Sequence, residues 1–173
     1  MSIRLINDSC VEQNVDAIVN AANKYLLGGS GVCGAIFNKA GYEELTNACS
    51  KISTPLHDGD AVITSSFNIS NCKYIIHAVG PNFSITPEAY DKLFDAYYNS
   101  LIVLKEHKLY SIAFPLISSG VYGGSLEKPA KVSAEACLNA YNKFISDYDY
   151  DIELTLCAYS KKDIDEASEV FNN

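Results

Sequence analysis

The sequence lacks the patterns that usually reveal a metal site, a disulfide scaffold or a membrane span. No two cysteines form a Cys-x-x-Cys pair, and the three histidines lie far apart, with no second metal ligand at a suitable spacing. No apolar run is long enough to cross a bilayer, and the N-terminus has neither the basic start nor the apolar stretch of a secretory signal. We therefore expect a cytoplasmic protein with free thiols, no bound metal and no cofactor. The six cysteines, all single, are Cys10, Cys33, Cys49, Cys72, Cys137 and Cys157.

Positive charge is also scarce, because 13 basic residues face 21 acidic ones and the formal net charge is −8. Such a chain has no general attraction to nucleic acid or to an anionic membrane, so any nucleotide must be held by local geometry. The 173 residues are 48% hydrophobic and 20% charged, a composition that supports a packed core and excludes a disordered chain. We expect a single domain over residues 1–173, and a monomer.

Short apolar runs alternate with longer amphipathic ones along the whole chain, which predicts an α/β domain. Strands are predicted at residues 3–6, 17–19, 61–64, 74–78, 111–115 and 153–158. Helices are predicted at residues 33–40, 42–51, 87–106, 129–146 and 161–171. The third and fourth strands are joined without a helix, so we expect that pair to be antiparallel and the sheet to be mixed, mostly parallel. His77 falls within the fourth of these strands and is interpreted as a core histidine rather than a catalytic one.

Two glycine-rich segments, residues 28–34 and 118–124, follow the second and fifth predicted strands. In an open α/β sheet, ligands bind at the carboxyl ends of the strands. The first segment satisfies G-x-G-x-x-G, but residues 20–27 separate it from its strand and no acid lies about 20 residues further on, which excludes a dinucleotide fingerprint. No Gly-Lys-Ser/Thr follows either, so it is not a P-loop. Each segment alone could be a tight connection; together they suit a diphosphate held by backbone N–H groups.

The second predicted strand is followed by Asn20-Ala21-Ala22-Asn23, which places two short amides beside the first glycine-rich segment. Such a pair could simply close a strand, because asparagine tolerates unusual backbone angles. A side-chain amide can also donate to and accept from sugar hydroxyls and orient a water molecule, but it cannot act as a general base at neutral pH. Asn23 is therefore a candidate for positioning a substrate and not for abstracting a proton.

Five stretches of the sequence, taken together, resemble a macrodomain, the ADP-ribose-binding module. They are DAIVNAAN (16–23), LGGSGV (27–32), GDAVIT (59–64), YIIHAVGP (74–81) and AFPLISSGVYG (113–123). The resemblance covers nearly the whole chain and is greatest to the MacroD-like branch of mono-ADP-ribosyl hydrolases. It implies a three-layer α/β/α sandwich on a mixed sheet.

The resemblance also implies roles for individual residues. Asp8, with the backbone of Ser9, would bind the exocyclic amine of adenine, and Tyr159 would stack on the adenine ring. Asn20 and Asn23 would belong to the ribose end, where Asn23 holds the hydroxyls of the distal ribose and Tyr122 closes over it. The residues that would hold the two phosphates are Gly29, Ser30, Gly31, Val32, Ser118, Ser119, Gly120, Val121 and Tyr122.

Cys33 departs from the pattern of the MacroD-like branch, in which an aspartate typically follows the glycine-rich run. That aspartate is thought to help position the attacking water, and a thiol is a poor substitute for a carboxylate. Related viral macrodomains without it are still hydrolases, and the family offers a route in which a substrate phosphate assists the water. We interpret Cys33 as a small wall residue beside the distal ribose, with a nucleophilic role as the alternative.

The sequence thus predicts an enzyme that removes mono-ADP-ribose from acidic side chains of proteins and could also deacetylate O-acetyl-ADP-ribose. The residues assigned to catalysis are Asn23, Cys33, Gly120 and Tyr122, and the expected partners are ADP-ribose and mono-ADP-ribosylated proteins. Two alternatives stay open: a non-catalytic ADP-ribose reader, which Cys33 favours, and an ADP-ribose-1″-phosphate phosphatase.

Overall fold

The computed structural model describes residues 1–171 and shows a six-stranded sheet with helices on both faces. The strands are β1 (Ser2–Ile6), β2 (Ala17–Ala22), β3 (Ala61–Ser65), β4 (Tyr74–Val79), β5 (Ser111–Pro115) and β6 (Glu153–Cys157). The helices are α1 (Gly31–Ala40), α2 (Tyr42–Ser50), α3 (Tyr90–Glu106), α4 (Pro129–Asp147) and α5 (Lys161–Phe171). Two short 3-10 helices, Cys10–Glu12 and Val121–Gly123, follow β1 and β5.

The sheet is mixed and mostly parallel, as predicted. Its strand order is β1-β6-β5-β2-β4-β3, and every neighbouring pair is parallel except β3 and β4. That exception is the pair joined without a helix, because a short connection returns the chain in the opposite direction. Among residues 1–171, no helix is both long enough and apolar enough to cross a membrane.

The core is divided by the sheet into two apolar layers, which gives the three-layer α/β/α sandwich. One layer packs α3, α4 and α5 against the sheet around Tyr97, Phe114 and Phe144. The other packs α1 and α2 on the opposite face around Phe37 and Leu45. Strands β2 and β4 alternate between the layers, since side chains on a strand point to opposite faces in turn.

Three predicted boundaries differ from the structure by two or more residues, whereas the others agree to within one residue. α1 begins at Gly31, two residues before the predicted start. α3 begins at Tyr90 rather than at residue 87, because a turn closed by a hydrogen bond from Ala89 N to Thr86 O precedes it. β2 continues to Ala22 instead of ending at Val19, so Asn20 lies inside the strand. The chain therefore leaves the sheet three residues later than the apolar run suggested.

Candidate functional site

The two glycine-rich segments meet at one edge of the sheet. They follow β2 and β5, which are adjacent parallel strands. Because the carboxyl ends of parallel neighbours lie at the same edge, both segments stand where open α/β sheets bind ligands.

Asn23 fixes the chain that leads into the first glycine-rich segment. Its Oδ1 accepts hydrogen bonds from the backbone N–H groups of Tyr25 and Leu27, both at 3.1 Å, and its Nδ2 donates to the carbonyl of Leu27 at 2.9 Å. The thiol of Cys33 contacts the same carbonyl at 3.7 Å. The amide that sequence reasoning assigned to a sugar therefore also holds this loop in shape.

The first glycine-rich segment begins α1 with backbone donors that lack intrahelical partners. The first helical bond runs from Gly34 N to Ser30 O at 3.3 Å, so the N–H groups of Gly31, Val32 and Cys33 have no acceptor inside the helix. Ser30 occupies the N-cap position, but its side chain makes no capping hydrogen bond. These donors and the positive end of the helix dipole favour an anion.

The same segment lies directly on α1. A Cβ atom at Gly34 would collide with the carbonyl oxygen of Gly29, so glycine is required for the loop to approach the helix. Gly28 is similarly covered by the ring of Tyr42, whose nearest carbon would lie 2.8 Å from a Cβ there. The position of the first segment is thus determined by close backbone packing.

Two buried hydroxyl groups fix the start of the second glycine-rich segment. The hydroxyl of Tyr97, on α3, accepts from the N–H of Ile117 at 3.0 Å and lies 2.6 Å from Ser133 Oγ of α4. Ser133 Oγ in turn donates to the carbonyl of Ile117 at 2.6 Å. Burial raises the pKa of the Tyr97 phenol, which keeps it protonated. Both backbone groups of Ile117 are therefore held by side chains from the layer beneath.

The second segment also packs against the chain that follows β4. Ser118 has a left-handed backbone, with φ +59°, and its Oγ donates to the carbonyl of Pro81 at 2.7 Å. A Cβ atom at Gly80 would collide with that Oγ, so the glycine allows the contact. Further along, the N–H of Phe83 donates to the carbonyl of Tyr122 at 2.8 Å. The segment is held from below and from one side.

The end of the second segment is the 3-10 helix Val121–Gly123, which begins without a side-chain cap. Gly123 N donates to Gly120 O at 2.9 Å, so the N–H groups of Val121 and Tyr122 have no acceptor within this turn. Val121 is 89% exposed and Tyr122 is 36% exposed. The second segment thus offers backbone donors without an acceptor in their own turn, as the first does.

Two cavities flank these segments. The larger, of about 610 Å³, includes Gly31 and Val32 of the first segment, and the smaller, of about 280 Å³, includes Tyr122 of the second. The rest of the larger lining is Asp8, Ser9, Cys10, Val11, Glu12, Ala35, Pro115, Cys157 and Tyr159. The rest of the smaller lining is Asn23, Lys24, Tyr25, Asp58, Val79, Gly80, Asn82, Ile85 and Thr86.

The larger cavity pairs a fixed carboxylate with an exposed aromatic ring. Asp8 Oδ1 accepts from the N–H of Ser9 at 2.7 Å, and Oδ2 accepts from Gln13 at 3.1 Å. Tyr159 is 79% exposed, and its carbonyl accepts from Asn7 at 3.0 Å. Burial raises the pKa of Cys157 to about 12, so this thiol is a neutral wall group. The arrangement suits a flat base that stacks on one side and donates from its edge.

Asn20 does not line either cavity. It is 1% exposed, and its Nδ2 lies 3.1 Å from Nδ1 of His77, whose Nε2 lies 2.9 Å from Oγ1 of Thr64. Burial lowers the pKa of His77 to about 4, so the ring is neutral at pH 7 and can donate from one nitrogen and accept at the other. The prediction of a core histidine was right. The longer β2 places the Asn20 side chain inside the sheet, away from both cavities, so a contact of Asn20 with the ligand stays a prediction.

The structure gathers the other predicted site residues at this edge. Asp8, Ser9, Gly31, Val32 and Tyr159 line the larger cavity, and Asn23 and Tyr122 line the smaller. The other predicted residues lie in the two segments, where Cys33 is buried: Gly29, Ser30, Cys33, Ser118, Ser119, Gly120 and Val121.

Sequence reasoning missed the far wall of the smaller cavity and the support of the second segment. Lys24 and Asp58 form an ion pair at 3.6 Å in that wall, although 34 positions separate them in the sequence (58 − 24). In the sequence, Tyr97 is one residue of an apolar helix face, and nothing else about it indicates that it supports the second segment. Within residues 1–171, no group of three or more metal-ligating side chains is assembled.

Comparison with known proteins gives consistent matches. A family model described as "Macro domain" matches residues 19–133. The ADP-ribose glycohydrolase MACROD1 of Bos taurus is 38% identical over 164 residues, which are 93% of this chain and 48% of that protein. A macrodomain of Oceanobacillus iheyensis with ADP has a TM-score of 0.87 at 33% identity, covering 98% of this chain and 90% of that one. A Trypanosoma brucei macrodomain in complex with ADP-ribose has a TM-score of 0.83 at 28% identity, covering 98% and 68%.

Proposed function

The chain belongs to the macrodomain family and is an ADP-ribose-binding macrodomain, and we propose that it hydrolyses the ester between mono-ADP-ribose and acidic side chains of proteins. The same centre would deacetylate O-acetyl-ADP-ribose, which carries an ester on the same sugar. We also propose that the protein works as a cytoplasmic monomer. The observation that carries the proposal is a pair of cavities, one lined by the first glycine-rich segment and one by the second, with backbone donors in each segment that have no acceptor in their own turn.

The ligand would lie across both cavities. Adenine would occupy the larger cavity, with its amine on Asp8 and its ring against Tyr159. The diphosphate would cross the two glycine-rich segments, neither of which contains lysine or arginine. Its charge would be met by backbone N–H groups and by the N-terminus of α1. The distal ribose would then enter the smaller cavity, beside Asn23 and Tyr122.

The smaller cavity supports catalysis by positioning rather than by a strong base. Asp58 is its one carboxylate among residues 1–171, and it is paired with Lys24. The amide of Asn23 can orient water but cannot take its proton. In the reaction, water cleaves the ester to give a hydroxyl on ADP-ribose and a carboxylic acid, which releases its proton to solvent at neutral pH. Alignment of the water and preorganised donors would supply the rate enhancement.

The variant Asn23→Ala tests this proposal. We expect turnover on an aspartyl- or glutamyl-ADP-ribosylated protein to fall at least tenfold more than the affinity for ADP-ribose, because positioning acts on the reacting atoms. Some affinity will also be lost, since Asn23 holds Leu27. Release is followed over time and affinity by calorimetry, with Asn38→Ala on the exposed face of α1 as the control. Unchanged turnover would contradict the mechanism.

Cys33 favours a second candidate, a reader that binds ADP-ribose without hydrolysis. Its thiol contacts the Leu27 carbonyl and offers no carboxylate to an attacking water. The variant Cys33→Asp separates the two functions, because a reader should gain activity from nearly none and a hydrolase should change only modestly. Binding without release by the unmodified protein selects the reader, and absence of binding removes both. Phosphate release from ADP-ribose-1″-phosphate would identify the phosphatase instead.

A further inference from the structure

Lys24 is the one cation among the side chains that line the two cavities, within residues 1–171. The larger cavity carries Asp8 and Glu12 and is therefore negative. In the smaller cavity Lys24 faces Asp58, so that end of the site is not negative overall. In a protein with a net charge of −8, this is the part of the site that can accept further negative charge.

The ammonium of Lys24 has hydrogen-bonding capacity to spare. Its Nζ lies 3.6 Å from Asp58, beyond normal hydrogen-bond distance, whereas Lys143 and Lys161 contact their carboxylate partners at 2.9 Å. The Lys24 side chain is 52% exposed and the Asp58 side chain 28% exposed. An ammonium has three donors, and Asp58 leaves them available to a ligand.

The backbone holds Lys24 and Asp58 in register. Leu56 N donates to the carbonyl of Lys24 at 2.8 Å, and Gly59 N donates to the carbonyl of Val79 at 2.7 Å. The turn that carries Asp58 is thus bonded to the second residue after β2 and to the last residue of β4. These hydrogen bonds fix the backbone positions from which the two side chains of the ion pair extend.

The same wall continues outward from the proposed ribose position. Lys24 follows Asn23 directly, and the lining then includes Tyr25, 60% exposed, and Ile85, 79% exposed. Both side chains line the smaller cavity and are exposed, so they can contact a molecule bound there. Under the proposed placement of the distal ribose, these exposed side chains face the polypeptide attached to that sugar.

We propose that Lys24 is a specificity-determining residue that selects acceptor segments carrying a second carboxylate next to the modified one. This inference rests on the proposed function, because it assumes that the distal ribose lies beside Asn23. The modified side chain is esterified and neutral, so the charge that Lys24 recognises must come from a neighbouring acidic residue of the acceptor. Asp58 partly neutralises Lys24 and sets the strength of the preference.

The test compares two peptides that carry the same ADP-ribosylated glutamate, one with acidic neighbours and one with the corresponding amides. For the unmodified protein we expect kcat/KM to favour the acidic peptide roughly fivefold, the scale of a partly exposed ion pair. Lys24→Gln should bring the ratio to about one, and Lys24→Arg should retain most of it. Asp58→Asn should raise the ratio, because the ammonium then loses its competing partner. Combining the Lys24 substitution with the peptide substitution in a double-mutant cycle isolates the interaction between Lys24 and the neighbouring carboxylate.

Lys143→Gln is the matched control, since Lys143 is equally exposed and ion-paired but lies on α4 away from both cavities. An unchanged peptide ratio in Lys24→Gln would overturn the proposal. So would an equal loss of affinity for both peptides and for free ADP-ribose, which would assign Lys24 to the diphosphate. If the unmodified protein binds without hydrolysis, the same ratios are measured as affinities. In that case the proposed hydrolysis is contradicted, and the affinity ratios still decide whether Lys24 selects acidic acceptors.

Discussion

The two glycine-rich segments offer a ligand the same chemistry from different supports. Both present backbone N–H groups and neither contains a cation. The first rests on α1 and follows β2, in which Asn20 contacts His77 of the neighbouring strand β4. The second rests on the hydroxyls of Tyr97 and Ser133. In the unfolded chain His77 titrates near neutral pH, whereas Tyr97 and Ser133 do not. Acid should therefore act through the support of the first segment, and mutation of Tyr97 should act through the support of the second.

The largest effect should come from acid, through the support of the first segment. Burial lowers the pKa of His77 from 6.5 to about 4, so between these values the unfolded chain binds a proton that the folded protein excludes. The His77 contribution is therefore complete above pH 6.5 and is lost as pH falls towards 4. The loss amounts to at most about 3 kcal/mol. Denaturant unfolding between pH 7 and pH 4 measures it.

Two variants check that His77 is the source. His77→Gln should flatten the dependence of unfolding free energy on pH in this range, whatever its stability at pH 7. His107→Gln, at an exposed histidine at the end of α3, should keep the slope of the unmodified protein. An unchanged slope in His77→Gln would show that carboxylates account for the acid sensitivity, and the contrast between the supports would disappear.

The second effect concerns the support of the second segment. Tyr97→Phe removes the hydroxyl that accepts from Ile117 N and pairs with Ser133, leaving buried polar groups without partners. We expect a loss of about 2 kcal/mol in unfolding free energy and weaker ADP-ribose binding. Tyr98→Phe is the control, since its hydroxyl contacts Asp147 at the exposed side of the same helix. Equal losses in both variants would show that Tyr97 has no special link to the segment.

The third effect tests how the first segment lies on α1. In Gly34→Ala the new methyl group collides with the Gly29 carbonyl, which is backbone and cannot rotate away. Alanine favours the helix by up to about 1 kcal/mol, so overpacking and helix propensity oppose each other in the folded protein. We expect nearly unchanged unfolding free energy with about tenfold weaker ADP-ribose binding, because the loop moves. Calorimetry showing normal affinity would mean that the loop adapts.

The fold was predictable because its signals are local. Continuous apolar runs indicated buried parallel strands, and the helix-free connection between β3 and β4 indicated the antiparallel pair. Glycine clusters after strands indicated the candidate site. These features depend on a few neighbouring residues each, so one sequence is enough to read them.

The supports and the far wall were not predictable, because they depend on residues distant in sequence. Tyr97 contacts Ser133 across 36 positions, and nothing in an amphipathic helix distinguishes a phenol that supports a loop from one that fills a core. The Lys24–Asp58 pair depends on how a later turn bonds to β2. The end of β2 was predicted too early because alanine at 21 and 22 gave no sign that the strand continues. Pairing of β2 with β4 extends β2 to Ala22.

The smallest change in unfolding free energy should come from substitution of Ser30. Comparing it with Ser9 tests whether the backbone donors at the start of α1 are left free for a ligand or are used for stability. Ser30 holds the N-cap position of α1 without a capping hydrogen bond, whereas Ser9 accepts from Val11 N at 3.3 Å in the 3-10 helix Cys10–Glu12. Ser30→Ala should therefore change unfolding free energy by less than about 0.5 kcal/mol, while Ser9→Ala should cost about 1 kcal/mol. A larger cost for Ser30→Ala would mean that serine already satisfies the donors of α1, and that they are not kept for an anion.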